Sequence, residues 1–250
     1  MNWLESVLGL VLVLLAAGLM FFFSLPQSAR SRVVLRPIRA MQRLRRATGL
    51  AVEDGTRLHV SLGKSSIISM NAGASLVALS TLERIGMLGT VSDRPPVATS
   101  GDGTLAILSQ DTLRAAYRIS NVPELYDPLQ SRLAGPTPFS YVVGTLPVIH
   151  DERVSTNVLV GTFGPEVALL TEGAERQDAF TLAASDSFSG QAVLYATARE
   201  PLIGEELFAL PAYLQAGGMH LGGIRAQDIL RWVVIAALVG GAVLSILGIL

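Results

Sequence analysis

Two long apolar runs frame the chain, and the stretch between them mixes short apolar segments with polar turns. Leu4 to Phe23 reads LESVLGLVLVLLAAGLMFFF with Glu5 as its only charge, and Trp232 to Leu250 reads WVVIAALVGGAVLSILGIL with none. About 20 residues at 1.5 Å each cross a hydrocarbon core about 30 Å thick. Both runs are therefore expected to be transmembrane helices, over 1–25 and 232–250. A cleaved secretory signal is the competing reading of the first run. Such a signal needs a basic leader and an apolar core of about 7–15 residues, whereas this leader, Met-Asn-Trp-Leu-Glu, is acidic and the core is longer.

In the middle, Leu58–Leu62 reads as a strand and Ser66–Leu88 has helical spacing. Val97–Thr99 reads as a strand end running into the turn Ser100-Gly101-Asp102-Gly103, Thr104–Leu108 as strand-like, and Gln110–Ile119 as a helix capped by Ser109. The Pro- and Gly-rich stretch 123–138 is the longest expected loop. Phe139–Ile149, Val154–Phe163, Phe180–Ser185 and Gln191–Ala196 read as strands, Val167–Leu170 as a strand or a helix, and Glu200–Leu214 as a helix. This alternation predicts a single mixed α/β domain over 53–216, with strand direction left open, and a Gly-rich linker over 217–231. VATSGDGTLAILSQ (97–110) echoes VLVGTFGPEVALLTE (158–172), as a duplicated strand–turn–strand unit or a chance likeness would.

Charge then sets the topology. Half of the residues are hydrophobic and only 16% are charged, against about 25% charged in ordinary soluble domains. Arg30, Arg32, Arg36, Arg39, Arg43, Arg45 and Arg46 follow the first run, while Arg225 and Arg231 precede the second. Basic flanks stay cytoplasmic, so both termini are expected outside and the central domain inside. Arg32, Arg36, Arg39, Arg43 and Arg46 share one stripe of a basic amphipathic segment over 26–52, opposite Ile38, Met41 and Val52, with Pro37 in its first turn. That stripe is either a surface for an anionic inner leaflet or a solvated juxtamembrane helix. The seven arginines offset the rest of the chain, since a net of −1 less 7 leaves −8. An acidic domain is no partner for nucleic acid. On the second span Ala236 with Gly240, and Ala237 with Gly241, have the spacing that lets helices approach closely, within the chain or in a homo-oligomer.

Much chemistry is missing. With no cysteine, disulfide scaffolds, zinc fingers, iron–sulfur clusters and cysteine nucleophiles are excluded. Lys64, the only lysine, sits in LGKSS without the upstream glycine of a P-loop. His59, His150 and His220 lack metal-ligand spacing, so no metal site is expected, and no GxSxG elbow occurs. No catalytic residue and no cofactor is assigned. The remaining ligand-binding candidates are Asp93, Arg94, Thr99, Ser100 and Asp102, placed around an expected strand end, with a shaped loop as the plain alternative.

The runs TLERIGMLGTVSDRPPVATSGDGTLAILSQDTLR, YDPLQSRLAGPTPFSYVVGTLPVI and QAVLYATAREPLIGEELFALPAYL resemble an uncharacterised bacterial two-span membrane-protein family. Its order is span, basic segment, α/β region, span. The resemblance implies a bacterial inner membrane and no activity. The expectation is a non-enzymatic membrane scaffold or assembly subunit that self-associates or docks a partner. The alternative is a cytoplasmic ligand-binding or sensory domain on two anchors.

Overall fold

The computed structural model describes residues 3–24, 35–68 and 72–246. Its helices are α1 (Trp3–Ser24), α2 (Arg39–Glu53), α3 (Ala72–Gly89), α4 (Gly103–Ile119), α5 (Pro138–Asp151), α6 (Val167–Glu175), α7 (Phe188–Thr197), α8 (Glu206–Tyr213) and α9 (Gly218–Ile246). Its strands are β1 (Arg57–Gly63), β2 (Val97–Ser100), β3 (Ser131–Leu133), β4 (Val154–Thr162), β5 (Phe180–Ser185) and β6 (Glu200–Leu202). They form one sheet in the order β3-β2-β1-β4-β5-β6, parallel throughout. The chain divides into two units, residues 36–216 and the two terminal segments with α1 and α9.

Burial on both faces explains the apolar strands, as parallel sheets require. Leu58, Val60 and Leu62 of β1 join Val158, Val160, Leu182 and Ala184 in a core closed by α2, α3, α4 and α8. On the other face Leu159 and Ala183 pack with Tyr141, Val142 and Ile149 of α5, Val167 and Leu170 of α6, and Leu194 of α7.

Several segments expected as strands are helices. Phe139–Ile149 lies in α5, because Thr137 caps Pro138 at N1 in a capping box: Ser140 N donates to Thr137 Oγ1 (3.3 Å) and Thr137 N to Ser140 Oγ (2.9 Å). Thr104–Leu108 opens α4, whose cap is Asp102 rather than Ser109; Leu105, Ser109, Leu113 and Tyr117 then line its buried face. Gln191–Ala196 lies in α7 and Val167–Leu170 in α6. Glu200–Leu214 splits into β6 and α8, and the expected loop 123–138 contains β3 and two short 3-10 turns. Both halves of the internal echo are strand–turn–helix junctions, β2–α4 and β4–α6.

Helix α2 is amphipathic, but its apolar side is spent inside the protein. Ala40, Met41, Leu44, Thr48 and Ala51 are buried against β1, β4 and β5, while Arg39, Arg43 and Arg46 are exposed. Part of the charged face is also engaged within the protein: Arg43 is ion-paired with Glu200, and Arg45 donates to Tyr213 O (2.8 Å). Arg36 and Pro37 precede the cap Ile38, and Arg32 lies outside the described residues.

In the other unit, the Gly-rich stretch expected as a linker is helical from Gly218 onward. Among the described residues, one helix, over Gly218–Val243, is long and apolar enough to cross a membrane; the apolar part of α1, Gly9–Ser24, is shorter. The last turn of α1 meets the first turns of α9. A Cβ on Gly222 would stand 3.0 Å from Ser24 Oγ, so glycine permits the approach, and the Arg225 guanidinium lies 5.9 Å from the Phe23 ring centroid. Gly240 and Gly241, by contrast, face open space.

Candidate functional site

In a sheet of this order, connections leave in opposite directions on either side of the β1–β4 boundary. The crevice beyond the carboxyl ends of those strands is where doubly wound folds, the dinucleotide-binding type included, place ligands. Here β1 ends at Gly63 with φ +70°, and a Cβ there would come within 2.7 Å of the Thr162 carbonyl. Only glycine allows that approach. Lys64 N then donates to Thr162 O (3.1 Å), and Gly101 N to Gly63 O (2.8 Å), tying β1, β2 and β4 together at this end.

Lys64, the single lysine of 250 residues, therefore emerges at the boundary. Its Nζ lies 2.6 Å from Glu166 Oε1, with the two side chains 18% and 7% exposed, so little water screens the pair. Gly164 N also donates to Glu166 Oε1 (3.2 Å). Burial works to raise the Glu166 carboxyl, but the hydrogen bonds from Lys64 and the backbone, with the lysine charge, hold it below its ordinary value.

Beneath the crevice, the centre of the sheet is polar. His59 of β1 reaches Asn157 of β4 through Nδ1 (2.7 Å) and Thr99 of β2 through Nε2 (2.9 Å). Tyr141 of α5 contacts Ser61 Oγ (2.5 Å) through its hydroxyl, donates to Thr99 O (3.4 Å) and accepts from Gly63 N (3.3 Å). All five side chains are buried. Burial lowers the His59 pKa to about 4, the Asn157 hydrogen bond opposing, so the ring is neutral at pH 7. Burial pushes the Tyr141 phenol up. His59, Ser61 and Gly63 occupy alternate positions of β1, so the network runs to the residue just before Lys64.

The five candidates from the sequence are not one cluster. Asp93 and Arg94 precede β2, where Arg94 Nη1 donates to Glu152 O (3.5 Å); Thr99, Ser100 and Asp102 stand at its other end. Thr99 belongs to the buried network. Ser100 Oγ accepts from Asp102 N (3.1 Å) and donates to Asp102 O (2.8 Å), while Asp102 Oδ1 accepts from Leu105 N (2.9 Å) as the α4 cap. Lys64, Glu166, Asn157 and Tyr141 were not singled out from the sequence as site residues. Their one sequence signal is a solitary lysine directly after a strand and its glycine.

Among the described residues, no three His, Asp or Glu side chains are grouped to hold a metal ion. What stands at this end of the sheet is the Lys64 ammonium, ion-paired to the Glu166 carboxylate. No curated protein and no solved structure matches the chain. Residues 2–250 match the family described as a domain of unknown function, DUF6754, and the chain belongs to that family.

Proposed function

We propose that this protein is a membrane-anchored ligand-binding protein whose α/β domain takes up an anionic small molecule at the β1–β4 boundary. The observation that carries this reading is the position of the only lysine, at the ligand crevice of a doubly wound sheet and against a displaceable carboxylate. A phosphate or carboxylate on the ligand takes the place of Glu166 on Lys64. The test is thermal unfolding of the detergent-solubilised full chain with inorganic phosphate, ATP and NAD as probes. A ligand at 100 times its Kd stabilises by about 2.7 kcal/mol. At least one probe is expected to raise Tm in the wild type and to lose that effect in Lys64→Met. An equal rise in both proteins overturns the reading.

The same proposal makes α1 and α9 a two-pass anchor in a bacterial inner membrane, with the domain cytoplasmic and both termini outside. Supporting it are the outward-facing Leu10, Leu14, Phe21, Trp232 and Leu238 and the arginines at one end of each apolar run. Arg36, Arg39 and Arg46 then face anionic lipid, each worth about 1 kcal/mol near the surface, while Arg43 is held by Glu200. Replacing these three by Gln is expected to weaken flotation of the detergent-free domain with anionic vesicles. Unchanged flotation counts against the leaflet contact.

A second reading, a self-associating assembly subunit, draws on one observation: Gly240 and Gly241 face open space within the chain. Close packing of a second copy there predicts an oligomer in detergent that Gly240→Leu dissociates, read by light scattering.

A further inference from the structure

At the amino end of β5, away from Lys64, the last turns of α6 and α7 leave a hollow of about 520 Å³. That volume lies in the range of small-molecule sites. Small residues keep it open: Ala168, Ala179, Ala196 and Ala198 form its walls. Thr181 also lines it; the residue is 3% exposed, and its hydroxyl has no hydrogen-bond partner among the described residues. The neighbouring hydroxyls are occupied, since Thr171 Oγ1 donates to Thr197 Oγ1 (2.9 Å) and Thr197 Oγ1 to Val193 O (3.0 Å). A buried hydroxyl left unpaired costs about 1–3 kcal/mol, a cost that a bound polar group removes.

The rim is negative. Glu172, Glu175 and Asp178 line the hollow against Arg199 alone. Asp178 lies 3.6 Å from Arg199, and Glu172 pairs with Arg176 at 2.6 Å. Both α6 and α7 point their carboxyl ends here, each carrying about half a negative charge, which Arg176 at the α6 cap and Arg199 just past α7 offset in part, leaving Glu175 outside both ion pairs. Helix ends of this kind attract cations.

We propose that this hollow binds a small primary amine or diamine, whose ammonium donates to the Thr181 hydroxyl oxygen and to the Glu175 carboxylate. An ammonium has three N–H donors and suits acceptors spread around a hollow. The carboxylates are not grouped as a metal requires, and the rim charge repels anions. This site stands apart from the Lys64 crevice and does not depend on it.

The experiment is isothermal titration of the full chain in detergent with 1,4-diaminobutane, with magnesium chloride and sodium acetate as comparison titrants. Saturable binding of the diamine alone is expected, weakened at least tenfold by Glu175→Gln and by Thr181→Val, and unchanged in Lys64→Met. Glu175→Gln is a rim substitution, so its result stands if Thr181→Val loses its cooperative melt. Three outcomes overturn the proposal: no saturable diamine binding, equal binding of magnesium, or full affinity retained in Glu175→Gln.

Discussion

The two ends of the central sheet each set a carboxylate among cations, with different hardware. On the amino side Glu152 takes the guanidinium groups of both Arg57 and Arg132, joining β1, β3 and the approach to β4, while Arg94 donates to its backbone carbonyl. On the carboxyl side Glu166 takes the single ammonium of Lys64. Guanidinium forks meet carboxylates through parallel hydrogen bonds and hold geometry, whereas an ammonium is a point charge on a flexible stem. The amino end is a clasp between strands. The carboxyl end is a single ion pair, the contact that the proposed ligand anion would replace.

That contrast breaks or sharpens under substitution, beginning with the backbone that brings Lys64 to its place. Gly63→Ala combines a left-handed φ with a Cβ against the Thr162 backbone, and is expected to lose about 3 kcal/mol or more in urea unfolding. A near-neutral result denies that the β1–β4 approach is tight. The network between the two ends gives a pH effect of similar size. His59 has a folded pKa of about 4, against 6.5 when unfolded, so the unfolded chain binds the extra proton between those values. Its contribution is complete above pH 6.5 and is lost as the pH falls to 4, by about 3 kcal/mol at most. His59→Gln is expected to flatten that part of the stability–pH curve relative to the wild type.

Glu152→Ala strands two partly buried guanidinium groups, and a loss of about 2 kcal/mol is expected by chemical denaturation. Glu166→Gln keeps an oxygen acceptor for Lys64, so its expected loss is smaller, about 1 kcal/mol. It also frees Lys64 for a ligand anion and is expected to tighten phosphate-probe binding in the thermal assay. If Glu166→Gln costs more than Glu152→Ala, the clasp and the exchangeable contact have been assigned to the wrong ends.

The strands buried on both faces were the legible part of the fold. Leu58–Leu62, Val154–Phe163 and Phe180–Ser185 are short apolar runs between turns, and they lie in β1, β4 and β5. The helices of the second face run against their local preference for a physical reason. Phe139–Ile149 is rich in aromatic and β-branched residues that favour strands, and tertiary packing with the Thr137–Pro138–Ser140 cap overrode that preference. The cap was written in the sequence as Thr-Pro-x-Ser. Strand order was not, because pairing β1 with both β2 and β4 is a long-range choice that no local pattern encodes. The site followed the order: Asp93 and Asp102 are near in sequence but stand at opposite ends of β2, whereas Lys64 and Glu166 meet across about a hundred residues.

Because Lys64 carries the only ε-amine in the chain, the crevice comes with its own reporter. A protease specific for lysine has a single peptide bond to cut, just after β1. An amine-acylating reagent has one side chain to modify. Both reactions need the ammonium to leave its carboxylate, so their rates measure how often the crevice opens, with no label, fusion or engineered cysteine required.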